Sequence, residues 1–183
     1  MTIEIATLAG GCFWCLEAVF VRLRGVDAVT SGYCGGHTEQ PTYAAVCAEE
    51  TGHAEAVQIR FDPAVIRYAE LLEVFFAIHD PTTPYQQGND IGSQYRSAIF
   101  THTPAQEQIA HATLATLEAS HHFPARLVTT VQPMQPMHTF YPAENEHQDY
   151  YQRHPDHGYC QVVIAPKLEK LAHRFADRLK SPD

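Results

Sequence analysis

Residues 3–23 commit the chain to a strand that turns directly into a helix. Ile3, Ile5, Thr7 and Leu8 form a short apolar, partly β-branched run, and Gly10-Gly11 breaks it. Leu16, Val19, Phe20 and Leu23 then follow at the three- and four-residue spacings of a helix face. This order places Cys12 at or beside the helix's first turn, where unpaired backbone N–H groups and the helix dipole favour a thiolate. Phe13 and the chain's only tryptophan, Trp14, stand next to that sulfur. The expectation is a reactive thiol against an aromatic wall.

The same reading extends down the chain. Residues 26–33 and 53–61 pattern as strands, the second ending at Asp62-Pro63, with a possible short edge segment at 44–48 between them. Residues 68–78 carry Leu71, Leu72, Phe75, Phe76 and Ile78 on one helical face. A polar stretch from 80 to 95 reads as a long loop, a kind that tends to be functional or disordered. Strand 96–101 follows, then a helix opened by Pro104, a strand at 126–132, a polar helix at 144–153 and a tail helix at 166–179. That order predicts an α+β fold, a two-layer α/β sandwich with a split β-α-β (ferredoxin-like) core and an irregular C-terminal extension. No repeat or linker interrupts it, so one domain over residues 1–183 is expected.

Composition narrows the partners. A net charge of −9 argues against a nucleic-acid ligand held by electrostatics. No run approaches the ~20 apolar residues of a membrane span. The N-terminus lacks the basic and apolar regions of a signal peptide, and five cysteines without regular spacing fit a reducing compartment. A cytoplasmic monomer is the expectation.

Three kinds of chemistry fit Cys12-x-x-Cys15. With His157 and Cys160 it could form a zinc-stabilised binding module, although zinc prefers a second, regularly spaced ligand pair. It could also serve a general thiol–disulfide oxidoreductase. The third is nucleophilic attack by Cys12. Taken singly, the other candidates are ordinary residues. Glu55 in an alternating strand would face solvent, and Asp90 after Gly88-Asn89 would form a turn.

Dispersed motifs favour the third. Gly11-Cys12-Phe13-Trp14, Gly32-Tyr33-Cys34-Gly35-Gly36, Pro41-Thr42-Tyr43 and Thr51-Gly52-His53-Ala54-Glu55 occur in order. His79-Asp80-Pro81-Thr82, Gly88-Asn89-Asp90, Gln94-Tyr95-Arg96-Ser97 and Phe140-Tyr141-Pro142-Ala143-Glu144 continue the series. Together they resemble the peptide methionine sulfoxide reductase A family over nearly the whole chain. The resemblance implies a thioredoxin-dependent peptide-methionine (S)-S-oxide reductase acting on free or protein-bound methionine sulfoxide, with no metal or organic cofactor. Cys12 would attack sulfur and become a sulfenic acid. Glu55 would be the acid, with a pKa raised by burial, and Tyr43 and Tyr95 would donate to the sulfoxide oxygen. Phe13 and Trp14 would hold the ε-methyl group, and Asp90 would orient the substrate or Cys12. Cys160, in a segment that Pro155 and Gly158 make flexible by composition, is the favoured resolving thiol. Cys15 is the alternative.

Overall fold

The computed structural model describes residues 2–181. The chain runs through β1 (Glu4–Gly10), α1 (Phe13–Phe20), β2 (Val26–Cys34), α2 (Tyr43–Cys47), β3 (Ala54–Phe61) and α3 (Tyr68–Ile78). A small hairpin, β4 (Gln86–Gln87) with β5 (Asp90–Ile91), and a 3-10 turn at Ser93–Tyr95 precede β6 (Ser97–Thr101). Then come α4 (Pro104–Ala119), β7 (Thr130–Pro133), β8 (Tyr141–Pro142), α5 (Tyr150–Arg153) and α6 (Ala165–Arg174).

The main sheet has the order β7-β6-β1-β3-β2-β8. Its inner four strands pair antiparallel throughout. β1 and β2 therefore run the same way with β3 inserted between them, which is the expected split β-α-β core. β7 lies parallel to β6 because α4 carries the chain back along the sheet.

Alternation sorts the strand residues by size. Leu8, Val57, Ile59, Phe61 and Ile99 join the large core with α1 and α3, while Ala9, Ala54, Ala56 and Ala98 face the other side under Phe100 and Met134. Each fully buried Leu, Ile or Phe removed from water contributes roughly 1.5–3 kcal/mol. Glu55 has the same parity as Val57 and Ile59, so the register of β3 sends a carboxylate toward the helix-covered face.

Local structure departs from the sequence expectation in five places. The supposed edge segment at 44–48 is helix α2, because the Thr42 hydroxyl accepts from the Ala45 N–H at 3.3 Å and caps an alanine-rich turn. The loop at 80–95 holds a hairpin and a 3-10 turn, and the strand expected from 126 begins at Thr130. The helix expected over 144–153 is split into a 3-10 turn, Asn145–His147, and α5. Gln148 breaks it by bonding Ser31 N–H, Ser31 C=O and Ala143 C=O, and Asp149 adopts φ 54°. The C-terminal segment is also more regular than its composition suggests. A π-helical turn, Cys160–Ile164, leads into α6. Pro166 cannot supply an N–H to the carbonyl four residues earlier, which favours a widened turn there.

Candidate active site

β1 ends where two glycines let the chain pass under its neighbours. A Cβ on Gly10 would meet the Phe75 ring at 2.7 Å, and one on Gly11, at φ 93°, would meet Gln87 Cγ at 2.6 Å. The turn sets Cys12 at the N-cap of α1 with no side-chain capping bond. Cys12 is buried, and this changes the electrostatics expected from its position. Burial, the neighbouring Cys15 thiol and the nearby Glu55 carboxyl together push its thiol well above the ordinary range. The dipole of an eight-residue helix does not outweigh them, and the resting group is a thiol.

Glu55 is 1% exposed. Its Oε2 accepts the Phe13 N–H at 3.0 Å, one of the helix-start donors, and this sets the carboxyl close to Cys12. Burial raises its pKa to about 8, with Asp90 and Cys15 adding to the rise and the Phe13 N–H opposing it. At neutral pH the carboxyl is mostly protonated, as a general acid requires.

Tyr43 opens α2 and Tyr95 closes the 3-10 turn after β5. Both phenols are half-buried, and desolvation followed by the Glu55 charge raises them, so both remain donors. Glu144 fixes this corner: Tyr33 Oη–H donates to its Oε1 at 2.9 Å and the Tyr43 N–H to its Oε2 at 3.0 Å. Phe13 is fully buried, its ring 5.7 Å from Tyr33 and 6.4 Å from Tyr43. Trp14 stacks on Tyr150 at 3.7 Å and 5° and donates its Nε1–H to His147 Nδ1 at 3.2 Å.

Cys15 stands three residues into α1, on the same side as Cys12, and both cysteines line a cavity of about 450 Å³ with Gln87, Asp90, Tyr159 and Lys167. Tyr159 Oη–H donates to Asp90 Oδ2 at 2.6 Å and lies 3.7 Å from Cys15 Sγ. Asp90 thus anchors a tyrosine beside the second thiol. Cys15 is lowered by the adjoining Cys12 thiol and, against burial, by the Lys167 charge. Cys160 is fully buried within the π-helical turn and does not line this cavity.

The zinc alternative lacks its geometry. Ligand atoms of Cys12, Cys15, His157 and Cys160 do not converge, and His157 is exposed. Among the described residues the one cluster of metal-compatible atoms is Glu144, Glu146 and His147. Its Glu144 oxygens are engaged, and His147 Nδ1 accepts from Trp14, which leaves the neutral ring's proton on Nε2.

Sequence reasoning passed over Glu144, Tyr150, Tyr159 and Lys167 as parts of the site. Tyr150 and Tyr159 had a signal, being large aromatics in an otherwise polar stretch. Lys167 had none, because its inward direction depends on how α6 packs against α1 and α3.

Known proteins match this chain in sequence and in fold. The family model described as peptide methionine sulfoxide reductase matches residues 4–179. The peptide methionine sulfoxide reductase MsrA of Ralstonia nicotianae is 54% identical over 98% of this chain and 94% of its own length. In structure, Mxr1 from Saccharomyces cerevisiae in its reduced form superposes with a TM-score of 0.77 at 32% identity, covering 86% of this chain and 89% of that one. The same yeast protein in complex with Trx2 gives 0.54 at 26% identity, covering 81% and 84%. A buried acid tied to a cysteine-bearing helix start, on a fold matched along almost its whole length, has one reading: the chain belongs to the peptide methionine sulfoxide reductase family.

Proposed function

We propose that this chain reduces methionine S-sulfoxide by dividing the work between two sides of Cys12. On one side, Glu55 gives a proton to the sulfoxide oxygen while Tyr43 and Tyr95 hydrogen-bond it. The Cys12 sulfur bonds to the substrate sulfur as the S–O bond breaks and the protonated oxygen leaves as water. Water then attacks the Cys12 sulfur and expels methionine, leaving Cys12 as a sulfenic acid. The net step is a thiol plus a sulfoxide giving a sulfenic acid plus a thioether. Phe13 and Trp14 hold the methyl group by apolar and sulfur–aromatic contact. With methyl, oxygen and sulfur each assigned a wall, one epimer fits. The observation that carries this reading is the fully buried Glu55 carboxyl, bonded to the residue after Cys12 and raised to about 8.

On the other side, Cys15 closes a disulfide with Cys12, which thioredoxin reduces. The preference for Cys15 over Cys160 rests on reach. Cys15 lines one cavity with Cys12, whereas Cys160 would have to leave a closed helical turn. Asp90 acts by holding Tyr159 beside Cys15. The enzyme works as a single domain and a monomer in the cytoplasm, on free or peptide-bound substrate.

Single-turnover and recycling assays on S-sulfoxide test the scheme. Cys12→Ser should abolish both. Cys15→Ser should spare the first methionine released and stop thioredoxin recycling, and Cys160→Ser should spare both. A full first turnover by Cys12→Ser, or continued recycling by Cys15→Ser, contradicts it.

A further inference from the structure

Lys167 is the third residue of α6, and its side chain runs inward to the cavity that holds both Cys12 and Cys15. Its Nζ donates to the Ile78 carbonyl at the end of α3. No carboxylate forms an ion pair with it among the described residues, in a chain with 21 acidic and 12 basic side chains. Asp90 lines the same cavity but takes its 2.6 Å hydrogen bond from Tyr159. A half-buried ammonium is costly unless an anion faces it. The two cysteine sulfurs, Cys15 foremost, and Asp90 are the sources of negative charge that act on it.

Several groups surround Cys15. Cys12 faces it from its own helix, Glu55 from β3 and Asp90 from the hairpin. Tyr159 and Cys160 face it from the C-terminal segment, and Lys167 from α6. Lys167 is the cation of this set. Tyr159 has one proton and gives it to Asp90, so its oxygen is left to accept the Cys15 S–H. The phenol thus orients the thiol, and the ammonium favours its ionised form.

We propose that Lys167 is the counter-ion of the Cys15 thiolate and activates that sulfur for attack on the Cys12 sulfenic acid. The assignment rests on Cys15 being the resolving thiol. In that step the Cys15–Cys12 S–S bond forms and the Cys12 S–O bond breaks. The oxygen leaves as water, carrying its own proton and one equivalent to the proton lost by Cys15. Cys15 is oxidised and Cys12 is reduced, both ending at the disulfide level. One helix start therefore carries two thiols served by different groups: a neutral carboxyl beside Cys12 and a cation beside Cys15.

The test follows disulfide closure in the full chain after one equivalent of S-sulfoxide without reductant, across pH. Lys167→Met should slow closure at pH 7 by about tenfold and move its pH midpoint up by about one unit, the effect of losing one nearby opposite charge. Lys167→Arg should keep the wild-type midpoint. If Lys167→Met turns over too poorly to follow, the difference in thiolate absorbance between Cys12→Ser and Cys12→Ser with Cys15→Ser, taken with and without Lys167→Met, isolates the Cys15 midpoint and should show the same shift. An unmoved midpoint in that titration, or wild-type closure by Lys167→Met, overturns the proposal. Cys15→Ser separates the two readings. If it still closes a disulfide at the wild-type rate, the resolving assignment falls. If it stays open while Lys167→Met matches wild type, only the role of Lys167 falls.

Discussion

The Phe13 N–H and the Glu55 carboxyl meet at 3.0 Å across 42 positions of chain. That contact satisfies a helix-start donor and fixes the acid beside Cys12 with a single bond. It also means that β3 cannot slip against α1 without separating the acid from the thiol.

Glu55 should make stability fall as pH rises. Its folded pKa of about 8 lies above the ordinary 4.5, so the folded chain keeps a proton that the unfolded chain releases between those values. Stability is lost across that window with increasing pH. Glu55→Gln, which can still accept the Phe13 N–H, escapes the loss. Urea melts should show it roughly 2–4 kcal/mol more stable than wild type at pH 8.5, with the gap closing near pH 4.5. Parallel stability curves for the two proteins would refute the raised acid. In turnover, Glu55→Gln should retain much more activity than Glu55→Ala, because an amide can still donate to oxygen.

Gly11→Ala should harm both folding and chemistry. The new methyl meets Gln87 at 2.6 Å, and φ 93° strains any residue with a Cβ. A cost of about 1–3 kcal/mol is expected from the backbone strain. Displacing the turn before Cys12 should also lower the single-turnover rate by roughly tenfold or more. A variant that matches wild type in both denaturant midpoint and burst rate would show that the turn can relax without moving the thiol.

Tyr150→Ala should uncover the only tryptophan. The two rings stack at 3.7 Å and 5°, so losing Tyr150 lets water reach Trp14. Fluorescence emission should shift to the red, with a stability loss of about 0.5–1.5 kcal/mol from the aromatic pair. Tyr150→Phe should keep the wild-type emission. Unchanged emission in Tyr150→Ala would mean that Trp14 is shielded mainly by His147.

The antiparallel core was legible because each segment announced its own period. The apolar run before Gly10, the alternation through Phe61 and the face made by Leu71, Leu72, Phe75 and Ile78 all depend on local order. Glu55 was less legible. Its strand could be read, but which face β3 buries on both sides is decided by β1, β2 and the helices above them. Cys15 shows the same limit: a helix pattern cannot say whether its third residue meets core or cavity. The tail misled for another reason. Pro155, Gly158 and many polar residues suggested mobility, yet Ile164, Leu171 and Phe175 bury against the main core and hold the segment down.

The strand order has a consequence for when the enzyme becomes competent. Cys12, Glu55, Asp90, Tyr159 and Lys167 come from points spread over most of the chain, and β1 acquires its neighbours only when β3 and β6 have been made. Contacts between residues so far apart in sequence tend to form slowly. During synthesis the first cysteine emerges long before the acid, the tyrosine or the lysine that will surround it. A nascent chain therefore carries an ordinary thiol there until the acid of β3 and the residues of the C-terminal segment have joined it.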